Sequence, residues 1–321
     1  MEQNPIFKFE DAERLQCKAS IMIEGLPGKG KSGLALMLGF YLAGGDWTKV
    51  FDIDTENKSV NLFRDIPFTT GGTVGRFKVG QLTEDVGYKP SNYLAYRKVA
   101  TQMGAVVVIE DSISHAWQYK GGLLDMVNEA KEKTKNKADK YAAWGDETVM
   151  AEKNKLLSMI RDPEVHVITT VRVKEKLDYE EVEGKKKLVS LGDQQIMQAD
   201  LKYEPDLVLS MIRPGHGNNQ YPKVMCTKTR YAIFEQDQEY EITPELCLQL
   251  KAYLEEGADP AVLLEQQRQE YITAIAAHLD AHPNKRAIWG VMKDDSGYTD
   301  MKLADIPLVG IKKLFIKLTT D

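Results

Sequence analysis

Short apolar runs alternate with amphipathic stretches over most of this chain. Residues 19–23 read as a short buried strand, and glycines follow at once. A helical run then covers 31–42, and a second strand is expected at 49–53. Residues 105–109, mostly valine, have the unbroken apolar character of a strand buried on both faces. Residues 165–171 look the same, and 207–212 and 223–227 are further strands. Helical patterns at 92–102 and 147–160 lie between them. Strands alternating with helices predict an α/β fold, a mostly parallel sheet flanked by helices.

The pattern changes near residue 243. Thr243-Pro244-Glu245 has the form of a helix start, with Thr as N-cap and Pro at the first helical position. Beyond it the pattern is helical through 246–256 and 260–281, and residues 302–318 alternate apolar and basic positions. The expected organisation is an N-terminal segment (1–18), an α/β core (19–242) and a small helical C-terminal domain (243–321).

Composition narrows the class. A length of 321 residues allows roughly two domains, and 43% hydrophobic content is too high for a disordered chain. No stretch approaches the ~18 apolar residues of a membrane span, so no membrane association is expected. The first 14 residues lack the apolar core of a secretory signal. Cys17, Cys226 and Cys247 are far apart and form neither a disulfide framework nor a CxxC site, which fits a reducing cytoplasm. A net charge of −6 argues against coating nucleic acid by bulk charge, but leaves room for a local basic patch.

Gly25-Leu26-Pro27-Gly28-Lys29-Gly30-Lys31-Ser32 fits G-x-x-x-x-G-K-[ST] in full, after an expected strand and at the start of an expected helix. The glycines let successive backbone N–H groups turn inward around an anion, and the helix N-terminus adds its dipole. In this arrangement Gly25, Pro27, Gly28, Lys29, Gly30, Lys31, Ser32 and Gly33 bind the phosphates. Lys31 is a point charge for the β- and γ-phosphates, and Ser32 places a hydroxyl on Mg²⁺. The strand at 105–109 ends in Glu110-Asp111-Ser112. A carboxylate at the tip of a parallel strand points into the ligand crevice, so Asp111 is the second expected holder of Mg²⁺. Glu110, its neighbour, is expected to face the other side of the sheet; the catalytic base is the alternative role, and a structural one is favoured. Asp52, Asp54 and Glu56 end the second strand, and Glu56, furthest into the loop, is the candidate to activate water.

Together these residues resemble the RecA-type ATPases. In that family a strand ending Asp-Ala-Glu carries the catalytic glutamate, a motif that Asp54-Thr55-Glu56 matches, and the Walker B strand ends in Asp-Ser, as Asp111-Ser112 does. Val167-Ile168-Thr169-Thr170-Val171-Arg172 occupies the place of the sensor strand that leads to a mobile DNA-binding loop, with Thr170 where the family has glutamine. A closer resemblance is to the RecA-like ATPases of phage recombination modules, encoded near single-strand annealing proteins and SSB. It is carried by Asp111-Ser112-Ile113-Ser114-His115-Ala116-Trp117, Trp144-Gly145-Asp146, residues 166–172 and Lys228-Thr229-Arg230, and spans roughly 19–257.

The resemblance implies an ATP- and Mg²⁺-dependent ATPase acting on single-stranded DNA in recombination or replication, in the cytoplasm of an infected or prophage-carrying bacterial host. It gives Thr170 the role of γ-phosphate sensor. In ring-forming relatives such as the DnaB helicases, a Lys-x-Arg pair reaches a neighbour's nucleotide. Lys228 and Arg230 would do so here, which implies a homo-oligomer, ring or filament. Arg172, Lys174, Lys176, Lys185, Lys186 and Lys187 would line the DNA loop, and an annealing protein or SSB is an implied partner. That loop mixes six cations with five acids over 172–187; residues 131–140 hold five lysines and two acids. Contacts from identical loops add in an oligomer. Two other classes fit the motifs: a ring helicase or helicase loader, and a nucleotide-gated platform that recruits a protein. A small-molecule kinase would want an arginine-rich lid, which the sequence lacks.

Three further patterns carry little weight. Asn136-Lys137-Ala138-Asp139 spells the guanine-reading N-K-x-D, but no D-x-x-G follows Asp111. His278 and His282 are spaced i, i+4, but Leu279 stands where a zinc protease has glutamate. Trp117, Tyr141 and Trp144 are read as packing residues before base-stacking ones, and His115 as either a packing residue or a contact to nucleotide or DNA.

Overall fold

The computed structural model describes residues 11–67, 72–133, 142–161, 163–182, 185–197, 199–215 and 220–320. They divide into two compact units, residues 18–254 and residues 1–17 with 255–321.

The larger unit is the α/β core. Its strands are β1 (Ser20–Gly25), β2 (Val50–Asp54), β3 (Lys78–Gln81), β4 (Val107–Asp111), β5 (His166–Val182), β6 (Lys185–Gln195), β7 (Leu207–Arg213), β8 (Lys223–Thr229) and β9 (Gln238–Glu241). The spatial order is β3-β2-β4-β5-β1-β7-β8-β9, with β6 paired to β5. The strands from β3 through β7 run parallel, whereas β8, β9 and β6 pair antiparallel. Strand β1 lies between β5 and β7, so the loop leaving its C-terminal end opens at the middle of the sheet.

Each sheet face has its own core. Helix α1 (Lys31–Leu42) buries Leu34, Ala35 and Leu38 against Ile21, Ile23, Ile109 and Ile168. The other face packs Met22, Ile53, Val108 and Val167 with residues of α2 (Pro90–Gln102), α3 (Ser114–Gln118), α4 (Leu123–Lys133) and α5 (Glu147–Ser158). Helix α6 (Pro244–Leu254) also belongs to the core, because Cys247, Leu250 and Leu254 are buried in the cluster around α1. The boundary expected near 243 therefore falls after Leu254. The Thr243 start is as expected: its hydroxyl accepts from Leu246 N at 3.3 Å.

The smaller unit holds α7 (Pro260–Ala281), α8 (Pro283–Asp295) and α9 (Leu308–Thr320) around Ile275, Met292, Ile306, Ile311, Leu314 and Leu318. Asp259 caps α7 by accepting from Ala261 N at 2.8 Å, with Pro260 at the first helical position. Residues 14–16 join this unit through Ala258 N to Arg14 O at 2.9 Å and Gln16 N to Ala258 O at 3.0 Å. No described helix is long and apolar enough to cross a membrane.

One expectation is corrected here. The charged stretch 172–187 was expected to be a loop, but β5 runs on to Val182 and turns back as β6. The backbone register sets Glu180 opposite Lys187 and Glu181 opposite Lys186.

Candidate functional site

The glycine-rich loop joins β1 to α1, and its conformation follows from its glycines. Gly28 and Gly30 have φ of 75° and 86°, in the left-handed region open to glycine. At Gly30 space is also short, since a Cβ would lie 2.7 Å from Pro214 Cβ. The Lys31 ammonium folds back over the loop and donates to the carbonyls of Gly25 at 3.0 Å and Leu26 at 3.2 Å. Burial lowers its pKa, and the charges of Asp111 and Glu56 work the other way. Lys29 reaches the Ile212 carbonyl at 3.5 Å. Phe63 lies against the bare Cα of Gly33, 3.3 Å from where a Cβ would sit, and puts an aromatic ring beside the start of α1.

Asp111 ends β4 at the centre of the site. Its Oδ2 accepts from the Ser32 hydroxyl at 2.5 Å and its Oδ1 from the Thr170 hydroxyl at 2.5 Å. Burial raises its pKa, while those two hydrogen bonds oppose the rise. Asp52 is buried nearby, and burial, then the charges of Asp111, Asp54 and Glu56, push its carboxyl well above the usual range. Asp54 accepts from Glu56 N at 2.6 Å and from Gln81 Nε2 at 3.1 Å, which shapes the turn that carries Glu56.

Alternation along β4 sends Glu110 to the opposite face. There it is fully buried and accepts from Arg97 Nη2 at 2.6 Å; the same nitrogen donates to the Met159 carbonyl at 2.5 Å. Thr55 was not anticipated. Its hydroxyl donates to Asp111 O at 3.0 Å and accepts from Ser112 N at 2.8 Å, tying the ends of β2 and β4 together. A small hydroxyl residue between two acids at a strand end was the available signal.

Glu56 does not stand free. Arg172 donates to its Oε1 from Nε at 2.9 Å and lies 2.8 Å away through Nη2. Arg172 Nη1 donates to the Tyr119 hydroxyl at 3.0 Å, and the guanidinium stands 5.8 Å from the centre of that ring. Burial lowers the Arg172 pKa, but the Glu56 charge and the hydrogen bonds to Glu56 and Tyr119 outweigh it, so the pKa is raised. A cavity of about 410 Å³ opens beside this pair, lined by Thr55, Glu56, Tyr88, His115, Tyr119 and Arg172 among others. His115 is buried there between the rings of Tyr88 and Tyr119, at 5.1 and 4.1 Å.

The structure thus brings together Lys31, Ser32, Glu56, Asp111 and Thr170. The Thr170 hydroxyl is fully buried and gives its one proton to Asp111, so it steadies that carboxylate. Arg172 turns to Glu56 instead of joining an external basic patch. Lys174 is exposed, while the side chains of Lys176, Lys185, Lys186 and Lys187 lie outside the described ones. Residues 134–141 are likewise outside, and with them the N-K-x-D pattern, Tyr141 and most of the 131–140 lysine run.

Lys228 and Arg230 lie elsewhere. Lys228 pairs in register with Val208 and Thr229 with Leu207, at the start of β7, so they sit toward the end of the strands opposite the glycine-rich loop. Lys228 donates to the carbonyls of Tyr203 at 2.5 Å and Pro205, and Arg230 donates to Asp206 at 2.8 Å. Trp117 and Trp144 pack with ring centres 6.0 Å apart against the core, as packing residues do. The His278 and His282 rings stack at 4.2 Å, and no group of three or more metal-ligating side chains occurs among the described residues.

The donor set fits Mg²⁺ with a nucleotide. Mg²⁺ takes one or two protein oxygens and fills its octahedron with water and phosphate, so it needs no cage of side chains. Ser32 and Asp111, already hydrogen-bonded to each other, are such a pair. A family model described as AAA domain matches residues 17–241, more than half of the chain. No curated protein matches it.

Proposed function

The chain belongs to the AAA domain family of nucleotide-binding P-loop NTPases, and from that premise we propose that it hydrolyses ATP with Mg²⁺ while acting on single-stranded DNA in phage-type recombination or replication. The observation that carries the ATPase reading is the convergence of Lys31, Ser32, Asp111 and Glu56 on one crevice. The loop amides and Lys31 bind the β- and γ-phosphates. Ser32 and Asp111 hold Mg²⁺, which neutralises phosphate charge when bound. Thr170 holds Asp111 in orientation. Glu56, released from Arg172, orients the attacking water and accepts its proton. Phosphoryl transfer needs positioning and charge compensation above all, and these residues supply both. Lys228 and Arg230 add charge to a neighbour's site, which makes the working form a homo-oligomer, ring or filament. The DNA reading draws support from the phage-type motifs and from the β5–β6 hairpin, which leaves the sheet next to Arg172. The annealing protein or SSB partner and the cytoplasm of a bacterial host rest on the same motifs.

A second reading is favoured by one contact. The ion pair at 2.8 Å holds Glu56 away from water chemistry, as suits a slow, nucleotide-gated platform that recruits a protein. Steady-state ATPase rates with and without single-stranded DNA, across protein concentrations and beside Lys31→Ala, separate the two. A rate that rises with DNA and with protein concentration is expected; a slow rate indifferent to DNA supports the platform and contradicts the DNA-coupled ATPase.

A further inference from the structure

Arg172 is the last residue of β5 that pairs with β1, and its register partner is Gly25, the first residue of the phosphate loop. The next residue, Val173, already pairs with Gln195 of β6. Arg172 therefore stands at the junction between phosphate loop and hairpin, one inter-strand spacing of about 4.8 Å from Gly25 at the backbone. Its charge and that of Glu56 both act on the Lys31 ammonium, so all three share one electrostatic neighbourhood. Thr170, two residues earlier on the same strand face, is occupied by Asp111.

A guanidinium binds carboxylate and phosphate through the same forked set of N–H donors. Here Nε and Nη2 are turned to Glu56 and Nη1 to Tyr119. A phosphate that takes the Nε/Nη2 side must displace Glu56. We propose that Arg172 reads the γ-phosphate of bound ATP, and that Glu56 and the γ-phosphate compete for its guanidinium. This rests on the reading of the crevice as an ATP site. Tyr119 serves as the pivot that keeps its hydrogen bond through the exchange. ATP, and not ADP, releases Glu56 to face water. The carboxylate is thereby exposed only when there is a γ-phosphate to attack.

The competition has a measurable signature. Binding of ADP and of the non-hydrolysable imido analogue of ATP is measured by calorimetry on the full chain in four forms: wild type, Glu56→Gln, Arg172→Gln and the double variant. Glu56→Gln removes the competitor, so the imido analogue tightens about ten-fold while ADP is unchanged. Arg172→Gln weakens the analogue and leaves ADP alone. In the double variant the ten-fold gain vanishes. If Glu56→Gln tightens the analogue equally with and without Arg172, or tightens ADP as much, loss of negative charge is the whole effect and the inference is overturned. If wild type binds neither nucleotide, the ATP-site reading itself falls. Should Arg172→Gln fail to fold, Arg172→Lys replaces it. An ammonium cannot match the fork, so the preference for the analogue over ADP is expected to drop, and an unchanged preference overturns the inference.

Discussion

Lys31 and Lys228 both donate to backbone carbonyls, but in opposite settings. Lys31 is buried in the mouth of the phosphate loop, and the neighbouring Arg172 is half-buried against a carboxylate. Lys228 and Arg230 lie across the sheet at an open edge, where Arg230 is exposed and pairs with Asp206. Charges in the crevice act through protein of low effective dielectric, and burial lowers the pKa of half-buried Lys228 as it does that of Lys31, whereas exposed Arg230 is screened by water and salt. The crevice is therefore equipped to hold phosphate within one chain. The edge gains strength only when a second surface excludes water from it, which is why the proposed trans role requires an oligomer.

The largest expected effect is on the crevice side. Lys31→Ala should lower ATP hydrolysis by about 10²–10³-fold, measured as steady-state phosphate release. Next is a variant that spares the chemistry and strikes the fold. Arg97→Met leaves Glu110 buried without its cation, and should cost about 3–5 kcal/mol in urea unfolding. A loss under about 1 kcal/mol would mean that Glu110 is not held as a buried charge. On the edge side, Arg230→Ala should cost less than about 1 kcal/mol of stability, since its pair is exposed. It should nevertheless reduce ATPase turnover about ten-fold at protein concentrations that allow assembly; equal loss in stability and turnover would place Arg230 in the fold alone.

The smallest effect concerns pH. Burial, then the charge of Arg172, lower the His115 pKa to about 4. Between that value and the unfolded one of about 6.5 the unfolded chain binds a proton that the native chain does not, so stability falls as pH drops through this window. His115→Phe should flatten the change in unfolding midpoint between about pH 7 and about pH 5. An unchanged slope would assign the acid sensitivity to another group.

The phosphate loop, the Asp111 strand and the start of β5 were legible because each is a local pattern. Glycine spacing, a valine run and a strand-end acid need only neighbouring residues to be recognised. Strands β3 and β9 were missed because Lys78–Gln81 and Gln238–Glu241 are four-residue sheet edges: β9 is polar and largely exposed, and Val79 is the one large apolar residue of β3. Helix α4 did carry a signal, since Leu123, Met126, Val127 and Ala130 repeat at helical spacing. The Glu56–Arg172 pair spans 116 residues. Nothing in either segment distinguishes an arginine that turns inward from one that lines a basic loop, so Arg172 was placed with the hairpin cations. Thr170 was read from its position on the strand, and only the fold shows its hydroxyl committed to Asp111.

The contrast between crevice and edge is tested most directly by mixing two damaged chains. Lys31→Ala keeps an intact edge and Arg230→Ala an intact crevice. Each alone should be nearly inactive. Mixed in equal amounts in a head-to-tail assembly, about one interface in four joins an intact crevice to an intact edge. ATPase activity should therefore return to roughly a quarter of the wild-type rate. No recovery on mixing, with Arg230→Ala alone as active as wild type, would contradict the account and leave each crevice complete within its own chain.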